Sequence, residues 1–247
     1  LLDPIPTPVG SMAPYLGRRS LLLIHGTTST TAGAFAGLAK QPALLDRLNA
    51  MYGGRVLGFN HHTMSVSVAE NLRQFFGALA ASPGEYTFDV VCHSRGGLVA
   101  RALAHLTDEH VEKLTGTAWQ RPGNVKVNIG RVVFVATPNS GTALAEPDRI
   151  TGFVDRLANY VNMLPDATLT IASGGLLSLV GAAAEVSLPR LPGLLDQVPG
   201  SLLQQMLAPP TGGFDQFYAF SSDYEPEGDL VSIIKDGAVD RIFRSAK

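Results

Sequence analysis

The chain has 247 residues, of which 45% are hydrophobic and 16% are charged, so it can form one domain with a large buried core. Its formal net charge is -2, and because it has neither a run of like charges nor a basic stripe with aromatic residues, it is not expected to bind nucleic acid. The single cysteine, Cys92, excludes an internal disulfide, and no Cys and His residues have metal-ligand spacing, so no metal site is expected.

Residues 1–19 are predicted to form an N-terminal strap, because prolines recur between Pro4 and Pro14 and favour an extended backbone. The segment has no basic stretch followed by an apolar core, so no signal peptide is visible in it, and this favours a cytoplasmic location. The first residue is not methionine, and the chain is expected to be a piece of a longer polypeptide.

From residue 20 onward, apolar strand-like segments alternate with segments of helical periodicity, which is typical of an α/β fold with a parallel sheet covered by helices. The predicted strands are residues 20–25, 55–60, 86–92, 127–136 and 216–222. The clearest predicted helices are residues 43–51, 68–81 and 97–107.

The first strand ends in His25-Gly26 and continues into a small polar loop that begins at Thr27. In an acyl-transfer enzyme, a loop at this place supplies a backbone N–H group that binds the oxyanion of the reacting carbonyl. Taken alone, the segment fits a second interpretation equally well, in which Gly26 only turns the end of the strand and the threonines cap a following helix.

Residues 86–106 combine a strand rich in β-branched and aromatic residues, an abrupt turn with Ser94 at its tip, and an amphipathic helix. The Gly96-Gly97 pair allows the helix to start close to the strand. A serine hydroxyl is a poor nucleophile at neutral pH, so an enzyme that uses one holds it on a strained turn, between a base and backbone donors. The pattern therefore predicts a nucleophile elbow, with Ser94 as the nucleophile.

Three segments of the chain together resemble bacterial lipases and esterases of the α/β-hydrolase superfamily. They are Ile24-His-Gly-Thr27, Cys92-His-Ser-Arg-Gly96 and Val135-Ala-Thr-Pro-Asn-Ser-Gly141. The resemblance covers roughly residues 20–142, with a weaker match around 217–224, and it departs from the Gly-x-Ser-x-Gly pattern at Cys92.

The resemblance implies an α/β-hydrolase fold that hydrolyses a carboxylic ester through an acyl-enzyme, with no metal or organic cofactor. The oxyanion donors would be the backbone amides of Thr27 and Arg95. His25, Gly26 and His93 would flank the site.

A serine hydrolase of this order needs a carboxylate and then a histidine after the serine, yet none of the six histidines follows His110. His61 and His62 are interpreted as loop or wall residues near the site, while His105 and His110 are too far from Ser94 along their helix and loop.

Two explanations remain for the missing base. In the first, the remaining C-terminal segment of the same protein, beyond Lys247, supplies the last strand and the histidine. In the second, the site is catalytically silent and the fold is a partner- or membrane-binding module of a larger protein. The first is favoured, because a binding module has little reason to keep all three motif segments together.

The preferred catalytic acid is Asp223, because it follows the late strand 216–222, where such a carboxylate belongs topologically. Asp229 resembles the acid of related lipases, but the apolar residues after it recur at helical spacing, so it could equally cap a helix. An acid beyond Lys247 stays an alternative.

Residues 145–213 are far longer than a connecting helix needs, and insertions at this place in the superfamily form caps or lids. The core would then comprise residues 20–144 and 214–247. The uncharged run 167–184 approaches membrane-spanning length, but its internal glycines and hydroxyls favour a buried cap helix or an interfacial lid. An apolar lid implies an apolar acyl ester or lipid as the substrate and leaves room for contact between the lid and a membrane surface.

Overall fold

The computed structural model describes residues 8–27, 29–142, 145, 191–207 and 216–220. Within these ranges, five parallel strands form one sheet in the order β2-β1-β3-β4-β5, with β5 as an outer strand. The strands are β1 (Arg19–Ile24), β2 (Val56–Phe59), β3 (Gly84–His93), β4 (Val125–Val135) and β5 (Gln216–Phe220).

Helices cover both faces of this sheet. They are α1 (Thr31–Ala34), α2 (Ala36–Ala39), α3 (Pro42–Tyr52), α4 (Val68–Ala80), α5 (Gly96–His105), α6 (Asp108–Thr115), α7 (Pro192–Leu195) and α8 (Leu202–Leu207). None of the helices in the described ranges is long and apolar enough to span a bilayer.

The five strands and the three clearest helices are confirmed, with ends within two residues of those predicted, except that the predicted end of the last strand, residues 221–222, lies outside the described residues. The predicted α/β class is confirmed as well. In the described part of the predicted strap, Ala13–Tyr15 form a 3-10 turn with Pro14 near its start, and residues 1–7 lie outside the described residues. Most of the predicted cap, including the apolar run 167–184, lies outside the described residues, and so does any strand after β5.

The core divides between the two faces of the sheet because side chains alternate along each strand. In β1, Leu22 and Ile24 belong to the larger buried cluster, which also contains apolar residues of α4 and α5. Leu21 and Leu23 face the other way and pack near α3. Full burial of each such side chain stabilises the fold by about 1.5–3 kcal/mol, so β1 and β3 are held firmly in the centre of the sheet.

The two central strands end at the same edge of the sheet because they run parallel, with Ile24 paired to Cys92. Helix α5 starts directly at this edge. A Cβ atom added to Gly96 would lie 2.6 Å from the carbonyl oxygen of His25 and closer still to that of Ile24. Only a glycine therefore allows α5 to begin in contact with the end of β1.

We expect Gly96→Ala to destabilise the protein by roughly 1–3 kcal/mol, because two backbone carbonyls would have to move to admit the methyl group. Gly77→Ala in α4 is the matched control, since no atom lies within 4 Å of the added Cβ atom there. The control should be neutral or stabilising by up to about 1 kcal/mol. Urea unfolding followed by circular dichroism measures both, and equal effects of the two substitutions would contradict this account of Gly96.

Candidate active site

Ser94 lies on the turn between β3 and α5, at the edge where the central strands end. Its φ of 52° places a non-glycine residue in the left-handed region, which costs of order 1–3 kcal/mol. Its N–H donates to the carbonyl oxygen of Val135 at 2.8 Å, which fixes the turn against β4. Among the described residues, no group forms a hydrogen bond with the Ser94 hydroxyl.

The loop after β1 touches this turn. A Cβ atom added to Gly26 would lie 2.7 Å from the Cβ atom of Ser94 and 3.0 Å from the His93 carbonyl oxygen. Gly26, His93 and Ser94, which sequence reasoning assigned to one site, are therefore brought together. Thr27 follows Gly26 directly, and its hydroxyl donates to the Gln197 side-chain oxygen at 3.4 Å.

The side chain of Arg95 is fully buried and is held by hydrogen bonds from three directions. Its Nε donates to the Gly193 carbonyl oxygen at 3.1 Å, Nη1 to Asn71 Oδ1 at 3.0 Å, and Nη2 to the Val66 carbonyl oxygen at 2.8 Å. The carboxylate of Asp196 lies 3.9 Å from Nη2. Burial lowers the pKa of Arg95 to about 10, against the opposing effect of Asp196, so the guanidinium stays charged at neutral pH.

Asp196 follows α7 and connects this ion pair to the start of α4. Its Oδ2 accepts the N–H of Val68, the first residue of α4, next to the Ser67 hydroxyl that caps the same helix. Burial raises the pKa of Asp196 to about 6, while the Val68 N–H and Arg95 act in the opposite direction. The ion pair of Arg95 and Asp196 therefore joins the elbow to α4 and to residues 191–197.

Sequence reasoning missed most of this network. Asn71 was the one member that the sequence could have revealed, because it is a polar residue on the otherwise apolar face of α4. Its side-chain amide is fully buried and therefore needs a partner. Asp196 and Gln197 gave no such signal, since the Val68 N–H and the Thr27 hydroxyl that they bind lie more than a hundred residues away in the chain. The amide N–H of Arg95, the proposed oxyanion donor, has no acceptor among the described residues.

Arg95→Met is expected to lower the free energy of unfolding by about 3–5 kcal/mol, because it leaves the mostly buried Asp196 carboxylate and several acceptors without their cation. The control is Arg73→Met, which removes a partly exposed pair with Glu70 at 3.4 Å on α4. That pair contributes less than about 1 kcal/mol. Urea titrations of the two variants measure the difference, and a loss below about 1 kcal/mol for Arg95→Met would contradict the proposed importance of the guanidinium.

Two buried histidines lie behind the Gly26 loop. The rings of His25 and His61 stack with centroids 4.2 Å apart, and the His61 backbone N–H donates to His25 Nε2 at 3.2 Å. His25 Nδ1 lies 2.9 Å from the Gly26 carbonyl oxygen, so the Nδ1 proton is donated there. Both nitrogens of His25 are thus engaged. His61 Nδ1 lies 3.2 Å from the Phe59 carbonyl oxygen.

Burial lowers the pKa of His25, and a weaker effect of Arg95 acts in the same direction while the hydrogen bond to Gly26 opposes it. Burial, His25 and Arg95 together lower the pKa of His61 to about 3. Both imidazoles are therefore neutral at pH 7. His62, by contrast, is exposed.

The lowered pKa of His61 predicts acid sensitivity. Between its ordinary value of 6.5 and about 3, the unfolded chain binds a proton that the folded protein excludes, so stability is full above pH 6.5 and declines as the pH falls. The slope for this one group is at most about 1.4 kcal/mol per pH unit.

His61→Asn removes the titrating ring and should flatten the acid limb of the plot of unfolding free energy against pH, whatever its effect at pH 7. His62→Asn, which makes the same substitution at the exposed neighbour, is the control. An equally steep acid limb in His61→Asn would show that His61 is not the group responsible.

Of the remaining predicted residues, two lie outside the described part of the chain and one lies within it. Asp223 and Asp229 lie outside the described residues. Cys92, at the departure from the family pattern, is buried near the end of β3, where its Sγ donates to the Val133 carbonyl oxygen at 3.3 Å and burial raises its pKa. Within the described ranges, no three His, Cys, Asp or Glu side chains group in a way that could hold a metal ion.

A parallel sheet with a strained serine on a strand-to-helix turn at its carboxyl edge defines this domain as an α/β-hydrolase fold. The model of a family described as a domain of unknown function, DUF7379, matches residues 4–247, and the chain belongs to that family. The search of curated proteins gave no match.

Solved structures of lipolytic enzymes are among those similar to the chain. Phospholipase PlaB from Legionella pneumophila is 15% identical, with a TM-score of 0.41 over 76% of this chain and 34% of that one. Lipase 1 from Pelosinus fermentans is 14% identical, with a TM-score of 0.45 over 78% of this chain and 64% of that one. The chain thus spans about a third of PlaB and less than two thirds of the lipase.

Proposed function

We propose that the protein is a serine-dependent carboxylic-ester hydrolase with Ser94 as its nucleophile. The observation that carries the proposal is the positive φ of Ser94, on a turn where the Gly26 loop and the start of α5 approach it closely. Strain of this kind persists only where the surrounding structure enforces it, and it clusters at functional sites.

In the proposed reaction, Ser94 Oγ attacks the ester carbonyl carbon and loses its proton to a base, which then protonates the departing alcohol. Water hydrolyses the resulting acyl-enzyme and releases the carboxylic acid. The amides of Thr27 and Arg95 would stabilise the negative oxygen in both steps. The buried Arg95 side chain supports this role, because its three hydrogen bonds fix the residue that carries one of these amides.

The base must be a group other than His25 or His61. His25 is engaged at both nitrogens, and His61 is held neutral with a pKa of about 3, far below the value that suits a general base at neutral pH. We propose that the remaining C-terminal segment of the protein supplies the histidine, and that Asp223 is the acid that orients it. An apolar acyl ester or lipid stays the predicted substrate class.

The test uses the full-length protein and a fluorophosphonate probe that reacts with activated serines. Wild-type protein should be labelled, and Ser94→Ala should lose the labelling together with at least about 1000-fold of its ester-hydrolase activity. Ser11→Ala is the control, since Ser11 is exposed and its hydroxyl accepts the Ala13 N–H at the start of the 3-10 turn before β1, away from the elbow.

The two outcomes separate the proposal from its rival. Labelling that depends on Ser94 supports an enzyme, and activity against esters of increasing acyl length then tests the apolar substrate class. A folded, full-length protein that is not labelled at Ser94 would favour the catalytically silent binding module instead.

A further inference from the structure

We infer that His25 is a positioning residue that aims the Thr27 amide at the oxyanion, by holding the carbonyl oxygen of Gly26. The inference rests on the proposed function, because it gives His25 a role in that same site. His25 touches neither the ester nor Ser94 Oγ in this scheme and acts only through the peptide group between Gly26 and Thr27.

The argument begins with the geometry of that peptide group. A trans peptide is planar, so its C=O and N–H bonds point in opposite directions. The described chain contains no cis peptide bond. The 2.9 Å hydrogen bond from His25 Nδ1 to the Gly26 oxygen therefore also sets the direction of the Thr27 N–H.

This peptide needs an external constraint because Gly26 has no side chain to restrict its φ and ψ. The close contact with Ser94 explains why a larger residue is excluded, since an added Cβ atom would lie 2.7 Å from that of Ser94. The same requirement for glycine leaves the backbone free to rotate the Thr27 N–H away. A fixed donor on the Gly26 oxygen removes that freedom.

The donor is itself fixed in protonation and in orientation. The His61 backbone N–H occupies His25 Nε2 as an acceptor, so the ring proton must be on Nδ1. The ring plane is held by stacking on His61, which in turn stacks on Phe59 with centroids 5.2 Å apart. The ring is buried, with 1% of its surface exposed, so water does not compete for either nitrogen.

Two substitutions separate the hydrogen bond from the packing. His25→Phe keeps an aromatic ring for the stack with His61 but has no donor. His25→Asn loses the ring, but its side-chain amide nitrogen lies close to the position of Nδ1 and can donate to the Gly26 oxygen. His110→Phe, which changes a histidine on α6 that is too far from Ser94 to act in the site, is the control.

The measurements are the rate of fluorophosphonate labelling of Ser94 and the kcat and KM for a soluble ester, all on full-length protein. Loss of a whole oxyanion donor lowers kcat by about 100- to 1000-fold. Misdirection of the Thr27 N–H in His25→Phe should lower kcat and the labelling rate by about 10- to 100-fold, with KM changed less than about threefold. His25→Asn should recover most of this loss, and His110→Phe should match the wild type.

A His25→Phe protein with wild-type kcat would overturn the inference, and so would a folded His25→Asn protein as slow as His25→Phe. A wild-type protein without labelling at Ser94 would instead overturn the proposed function. Nitrogen-15 NMR of the His25 ring tests the geometry without any substitution. The spectrum at about pH 8 should show the Nδ1–H tautomer, and an Nε2–H tautomer would contradict the inference.

Discussion

A guanidinium that is removed from water must find its hydrogen bonds inside the protein, and Arg95 finds them on two distant segments, residues 66–71 and α7. Desolvation of such an ion costs several kcal/mol, so the Val66 carbonyl, the Asn71 amide and the Gly193 carbonyl are all required to offset it. Because Arg95 directly follows Ser94, the same contacts hold the tip of the elbow. Neither the loop before α4 nor residues 191–197 can move without disturbing that turn.

A second arginine extends this arrangement along α5. Arg101 is also buried, and its Nη1 donates to the Asn139 carbonyl oxygen at 2.6 Å while Nη2 donates to that of Leu207. Gln204 adds a longer contact to the Pro138 carbonyl oxygen at 3.5 Å. The elbow helix thus binds the backbone of the segments on either side of the site, and residues 191–207 contact the core through polar groups as well as through buried Leu203.

The central fold could be predicted from sequence because its signals are local. Apolar alternation and helical periodicity mark the strands and the long helices, and the glycines after Ser94 mark the close approach of α5 to β1. The short α6 was harder to predict, since it has few turns and buries only Val111. Its Thr107 and His110 form a capping box, which the Asp-Glu-His sequence does not predict because the usual residue at the third helical position is Glu or Gln.

The site was only partly predictable, for a physical reason. Gly26 and Gly96 are required by close backbone approach, and together with Ser94 they form a local pattern that the sequence shows, whereas the partners of Arg95 are chosen by tertiary contact. His61 illustrates the limit. Its sequence position beside His62 predicts a wall or loop residue, yet its ring is buried against His25 while the His62 ring is exposed.

The positive φ of Ser94 sets function against stability at a single position. Glycine adopts this backbone region without the steric cost that serine bears, so a selection for thermostability alone would favour glycine at position 94. The most heat-resistant descendants of such an experiment would then include proteins that have lost the proposed nucleophile. A screen that aims to stabilise this protein must therefore read out serine reactivity in the same step as survival on heating.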